Sequence, residues 1–141
     1  MLSDRGTRIT LLALFFVLAA SASYLYLKGI GTGDEVGYGD VSVEEAMTLI
    51  EEKPGLVILD VRTGSEFQDG HIEGAINIPV GELDQRLSEI SPNDEYLVYC
   101  RTGNRSTTAV EIMKEKGYLM IYHMDGGITA WTQAGLSTIN N

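Results

Sequence analysis

The 141-residue chain is poor in the side chains that cross-link or bind soft metals: it has a single cysteine, Cys100, and only two histidines. One cysteine excludes an intramolecular disulfide framework, and with two histidines it leaves too few soft ligands for a zinc cluster. Basic residues are also scarce. From Asp34 onward 19 acidic residues face 7 basic ones, a net charge of −12. A field of that sign repels nucleic acid and anionic lipid, and no basic stripe overrides it. Internal repeats are absent. What remains is enough for one domain, since a hydrophobic share of 44% supplies a real core.

The first residues are a separate object. Arg5 and Arg8 precede an uncharged run from Ile9 to Leu27. As a helix this run rises about 28 Å, close to the thickness of a bilayer core. The same stretch fits a signal peptide, with a basic start, an apolar block and Ala20-Ser21-Ala22 as a small-residue cleavage site. Tyr24 and Tyr26 suit an interfacial aromatic belt and favour an uncleaved anchor. Either reading of residues 1–28 exports the domain or holds it at a membrane on the extracytoplasmic side. Residues 29–40, "GIGTGDEVGYGD", read as a flexible glycine-rich linker. Their glycine spacing does not match a dinucleotide-binding turn.

Beyond the linker, residues 41–139 alternate between two patterns. Ser42 and Glu45 form a capping box for an amphipathic helix through Val43, Ala46, Met47 and Ile50. "LVILD" (56–60), "AINIP" (75–79), "EYLVYC" (95–100) and "YLMIYHM" (118–124) read as short buried strands. Between them lie a helical turn at "SEFQDGHI" and helices at "GELDQRLSEI" and "STTAVEIMKEKG"; "GGITAWTQAG" closes the series. The expected class is α/β, a central parallel sheet of four or five strands with helices on both faces, preceded by one N-terminal hydrophobic helix.

This layout puts Cys100 at the carboxyl end of a central strand, the edge where open α/β sheets bind ligands. The turn "CRTGNRS" (100–106) must aim backbone N–H groups inward, and Gly103 gives it the freedom to do so. Those dipoles, the following helix N-terminus and Arg101 and Arg105 all favour the thiolate over the thiol. The expectation is a depressed pKa at Cys100 and a nucleophile that needs no dedicated base.

"CRTGNRS" resembles the active-site loop of the rhodanese family, the thiosulfate sulfurtransferases. "DVRTGSEFQDGHIEGAINIP" (60–79) and "GGITAW" (126–131) are similar to that family's upstream and C-terminal signatures. The resemblance spans Val41 to Leu136. It implies a rhodanese-like fold and a cysteine thiolate that takes the outer sulfur of a small anionic donor such as thiosulfate. The resulting persulfide passes its sulfur to an external thiol or to cyanide. On that resemblance Cys100 is the nucleophile, and Arg101, Thr102, Gly103, Asn104, Arg105 and Ser106 form the substrate-binding and persulfide-cradling loop. Arg101 and Arg105 are the guanidinium contacts for the donor. Asp60 and Arg62 brace the loops. No metal or organic cofactor is implied, and no second cysteine is present to resolve the persulfide.

Two other readings stay open. Phosphatases of the cell-cycle type and arsenate reductases share this architecture, but the phosphatase loop places five residues between cysteine and arginine, and here only Arg101, Thr102, Gly103 and Asn104 intervene. A persulfide carrier without turnover, or a rhodanese-like binding module, is the other alternative. His71 and His123 read as hydrogen-bonded structural residues, Trp131 as core, and Gly126-Gly127 as a turn into the last helix.

Overall fold

A computed structural model describes residues 37–140. The expected N-terminal helix, the signal or anchor segment and the first part of the linker lie outside the described residues. Among the described residues no helix is long and apolar enough to cross a membrane.

Five strands form one sheet: β1 (Gly37–Val41), β2 (Val57–Asp60), β3 (Ile76–Asn77), β4 (Glu95–Tyr99) and β5 (Met120–Met124), in the order β1-β5-β4-β2-β3. Every pairing is parallel. The helices are α1 (Val43–Glu52), α2 (Gly64–Asp69), α3 (Val80–Arg86), α4 (Asn104–Glu115) and α5 (Gly127–Gln133), with a 3-10 turn at Leu87–Glu89 after α3.

Residues 37–40, expected at the end of the linker, instead build the edge strand β1. Their glycines hide the strand from a pattern search, and the flexible end of the Met120 side chain packs against Gly37. Tyr38 fixes the strand by donating its hydroxyl to the Tyr118 carbonyl at 2.6 Å. The expected strand at 75–79 shrinks to two residues, because Ile78 and Val80 donate their amides to Asp60 and Val61 in the turn that enters α3.

Side chains alternate across a strand, and both faces of this sheet are covered. Tyr96 and Val98 of β4 pack with Leu83 of α3 and Ala109 and Met113 of α4. Leu97 and Tyr99 point the other way, onto Val43 and Ala46 of α1 and Ile128 and Trp131 of α5. β4 is thus buried on both sides, and Tyr96 through Tyr99 are all fully buried. The first helix starts as its sequence dictates, with Ser42 and Glu45 exchanging side-chain-to-backbone hydrogen bonds of 3.2 and 2.8 Å. α2 uses the same device: Thr63 Oγ1 accepts from the Glu66 amide, and Glu66 accepts from the Thr63 amide.

Candidate functional site

β4 ends at Tyr99, so Cys100 is the first residue off the carboxyl edge of the sheet, and α4 begins four residues later at Asn104. The connecting turn is possible because Gly103 holds φ at 108°, in the left-handed region that side chains disfavour. In that conformation its amide donates to Cys100 Sγ at 3.1 Å. Ser106, in the first turn of α4, puts its hydroxyl 3.3 Å from the same sulfur. Both Cys100 and Ser106 are buried, whereas Arg101, Thr102 and Asn104 form the exposed outside of the loop.

Burial is the largest influence on the thiol and opposes its ionisation. The Ser106 hydroxyl and the amides of Ser106, Gly103 and Thr102 act against it, and together they win: the Cys100 pKa is held below that of an ordinary thiol. The cause is hydrogen bonding to the charged form rather than the arginines alone.

Those arginines do different things. The Arg105 guanidinium grips Glu66 of α2 with both terminal nitrogens, at 2.7 and 2.8 Å. The Arg105 pair, helped by the Thr63 amide and hydroxyl, overcomes partial burial and lowers the Glu66 pKa from 4.5 to about 2. Arg101 has no ion-pair partner among the described residues, and it lines an open cleft of about 360 Å³ with Arg62, Gly70, Thr129 and Thr132. Of the two guanidiniums expected to meet the donor, therefore, one is exposed at a cleft and the other is engaged within the protein.

Asp60, the last residue of β2, and Arg62, two residues on, form a buried pair. Arg62 Nη2 donates to Asp60 Oδ2 at 2.6 Å and to the Gly70 carbonyl at 2.7 Å, tying the end of α2 to the sheet. Asn77 completes the brace, donating its side-chain amide to the carbonyls of Asp60 and Arg62. Nothing in the local sequence pattern singles out Asn77. The Thr63/Glu66 box, by contrast, carries the spacing that would have revealed it.

The closing "GG" is more than a turn. The amides of Ile128 and Thr129 in α5 donate to the carbonyls of Cys100 and Arg101 at 2.9 and 3.1 Å. The backbones come so close that a Cβ on Gly127 would sit 2.3 Å from the Cys100 carbonyl oxygen. The last motif thus clamps the cysteine loop from behind. Trp131 packs in the core and donates to Ser137 O at 3.0 Å. His71 stacks on Phe67, centroids 3.7 Å apart, with Nδ1 at 2.8 Å from the Phe67 carbonyl. His123 differs from it: Nε2 is 2.8 Å from Ser106 Oγ, so it touches the site through a residue of the loop.

Comparison with known proteins agrees with this geometry. The profile of the Rhodanese-like domain matches residues 42–134. A sulfurtransferase of Allochromatium vinosum is 29% identical over 100 residues, covering 71% of this chain and 94% of that protein. The thiosulfate sulfurtransferase GlpE of Shewanella oneidensis is 32% identical over 94 residues, covering 67% of this chain and 92% of its own length. This chain spans only 50% of another relative, the Bacillus subtilis protein YrkF, at 34% identity. Among solved structures, a rhodanese-related protein from Thermoplasma volcanium superposes with a TM-score of 0.67 at 31% identity, covering 74% of this chain and all of that one. With that profile matching well over half of its length, this chain belongs to the rhodanese family.

Proposed function

We propose that this protein is a sulfurtransferase that moves a sulfane sulfur from thiosulfate, or a donor like it, to a thiophilic acceptor through a persulfide on Cys100. The observation that carries this reading is the convergence of the Gly103 amide and the Ser106 hydroxyl on Cys100 Sγ, which favours an anionic sulfur in a buried place. In the first half-reaction the thiolate attacks the outer sulfur of thiosulfate. The S–S bond of the donor breaks and its electron pair leaves with sulfite. In the second, the acceptor attacks the outer sulfur of the persulfide and the Cys100 thiolate is restored.

Arg101, at the cleft beside the loop, is the contact for the anionic donor. Arg105 acts chiefly through its hold on Glu66, which fixes α2 against α4. The relatives named as sulfurtransferases support this class of chemistry. Because Cys100 is the only cysteine, the acceptor is external.

The test is turnover. With thiosulfate and cyanide the full chain should release thiocyanate, and Cys100→Ser should release none. A serine variant as active as the parent would overturn the assignment. A parent that takes up sulfur but does not pass it to cyanide would mark a carrier that discharges only to its own partner.

A further inference from the structure

The backbone amides of the loop stabilise a thiolate but cannot receive its proton. Cys100 is 1% exposed, so its thiol proton is shielded from bulk water. A route leads the other way. Ser106 Oγ lies 3.3 Å from Sγ and 2.8 Å from His123 Nε2, and His123 Nδ1 lies 2.8 Å from Asp40 Oδ1. Four segments supply one residue each: the turn after β4, α4, β5 and β1. The line begins at a buried sulfur, and it ends at an Asp40 side chain that is 78% exposed.

The direction of each bond follows from the groups. A carboxylate only accepts, so His123 Nδ1 carries a proton and Nε2 faces Ser106. Ser106 has one hydroxyl proton and three acceptors in reach: Sγ, Nε2 and the Gly103 carbonyl at 2.9 Å. Beside a neutral imidazole the hydroxyl donates to Nε2, and its oxygen is open to the thiol S–H. Beside an imidazolium, Nε2–H donates to Oγ, and the hydroxyl proton turns to the thiolate.

We propose that Ser106, His123 and Asp40 form a proton relay that ionises Cys100. The thiol passes its proton to Ser106 Oγ while the serine proton passes to His123 Nε2. One proton has then moved from sulfur to imidazole, the hydroxyl is restored and donates to the thiolate, and Asp40 pairs with the imidazolium. His123 and Asp40 are positioning residues, since they act on the sulfur only through Ser106. His123 borders a cleft of about 440 Å³ that shares no lining residue with the one at Arg101. The proton therefore reaches water on a different side from the proposed donor. His123 contacts Asp40 from β1 and Ser106 from α4, and the titratable groups lining the cleft with it are Tyr38 and Asp40 from β1, Glu111 and Lys114 from α4, and Asp125 beyond β5. Where the sequence suggested a nucleophile with no dedicated base, the relay would supply one at one remove.

The relay rests on Cys100 being the nucleophile proposed above, and it is tested without any sulfur donor. Two histidines make the full chain, labelled with ¹⁵N-histidine, simple to follow by NMR. Blocking Cys100 with iodoacetamide should move the titration midpoint of His123 and leave that of His71 in place. In parallel, the pH profile of alkylation should carry two linked midpoints in the parent and one in His123→Gln. That substitution should slow alkylation at neutral pH by about tenfold, toward an ordinary thiol. Asp40→Asn, at an exposed position, should slow it less, whereas Ser106→Ala, which removes a direct donor to the thiolate as well as the relay, should slow it at least as much as His123→Gln. An unmoved His123 midpoint, a His123→Gln profile that superposes on the parent, or a Ser106→Ala variant that alkylates faster than His123→Gln would overturn the relay. If these signatures appear while thiosulfate leaves no persulfide, the relay stands and the sulfurtransfer reading falls.

Discussion

Cys100 is a contest between burial and hydrogen bonding, in which Ser106 opposes burial most strongly and the Gly103 amide adds to that opposition. The Gly103 φ of 108° is what turns that amide toward the sulfur. Gly103→Ala forces a side chain into that conformation, at a cost of about 1–3 kcal/mol, and brings its Cβ to 3.1 Å from Asp125 Oδ1. The expected outcome is a lower denaturant midpoint and slower iodoacetamide alkylation at pH 7, because the thiolate loses a donor as the turn relaxes. Alkylation as fast as in the parent would show that this amide does not hold the anion. Cys100 and Gly103 are legible in the sequence because their chemistry is local: a thiol, a glycine and a helix start within a few residues. Asp40 and His123 are not. They lie 83 positions apart in the chain and meet only because β1 and β5 pair in a register that puts them side by side.

Among the elements, α2 and α4 are joined at the site by the Glu66–Arg105 pair, and that contact has a pH signature. The Glu66 pKa falls from 4.5 to about 2 in the folded protein, so the unfolded chain binds a proton more readily than the native one. The stabilisation is fully present above pH 4.5 and is lost as pH falls toward 2. Chemical denaturation followed between pH 5 and pH 2 should therefore show a steeper loss of stability in the parent than in Glu66→Gln. Parallel curves would mean the pair is screened by solvent and contributes little. The helix bearing Glu66 is readable in outline as a helical turn, but its partner is not, since the 39 positions separating Glu66 from Arg105 close only through the fold. The same holds for α5: the sequence marks a turn at Gly126-Gly127, whereas the reason for Gly127 is a backbone approach that no pattern displays.

For the whole molecule, the alternation of apolar strands and capped helices conveys the class, because a sheet buried on both faces needs continuous apolar strands. The edge strand escapes this logic: "GYGDV" has little to bury, and β1 is held by its pairing with β5 and by Tyr38. The run from Ile9 to Leu27 supports a further proposal, that this segment anchors the protein in a membrane with the domain on the extracytoplasmic side. After expression of the full chain, the protein should stay in the membrane pellet through alkaline carbonate washing, and protease added outside spheroplasts should remove the domain. Release into the wash as a shortened chain would indicate a cleaved signal peptide instead.

The central claim, that Cys100 carries sulfur, is tested most directly by intact mass. The full chain, in detergent, is incubated with thiosulfate, weighed, treated with cyanide and weighed again, beside Cys100→Ser. The account predicts a gain of one sulfur atom that cyanide removes and that the serine variant never acquires. A parent whose mass does not change with thiosulfate, or a serine variant that gains the same sulfur, would contradict it.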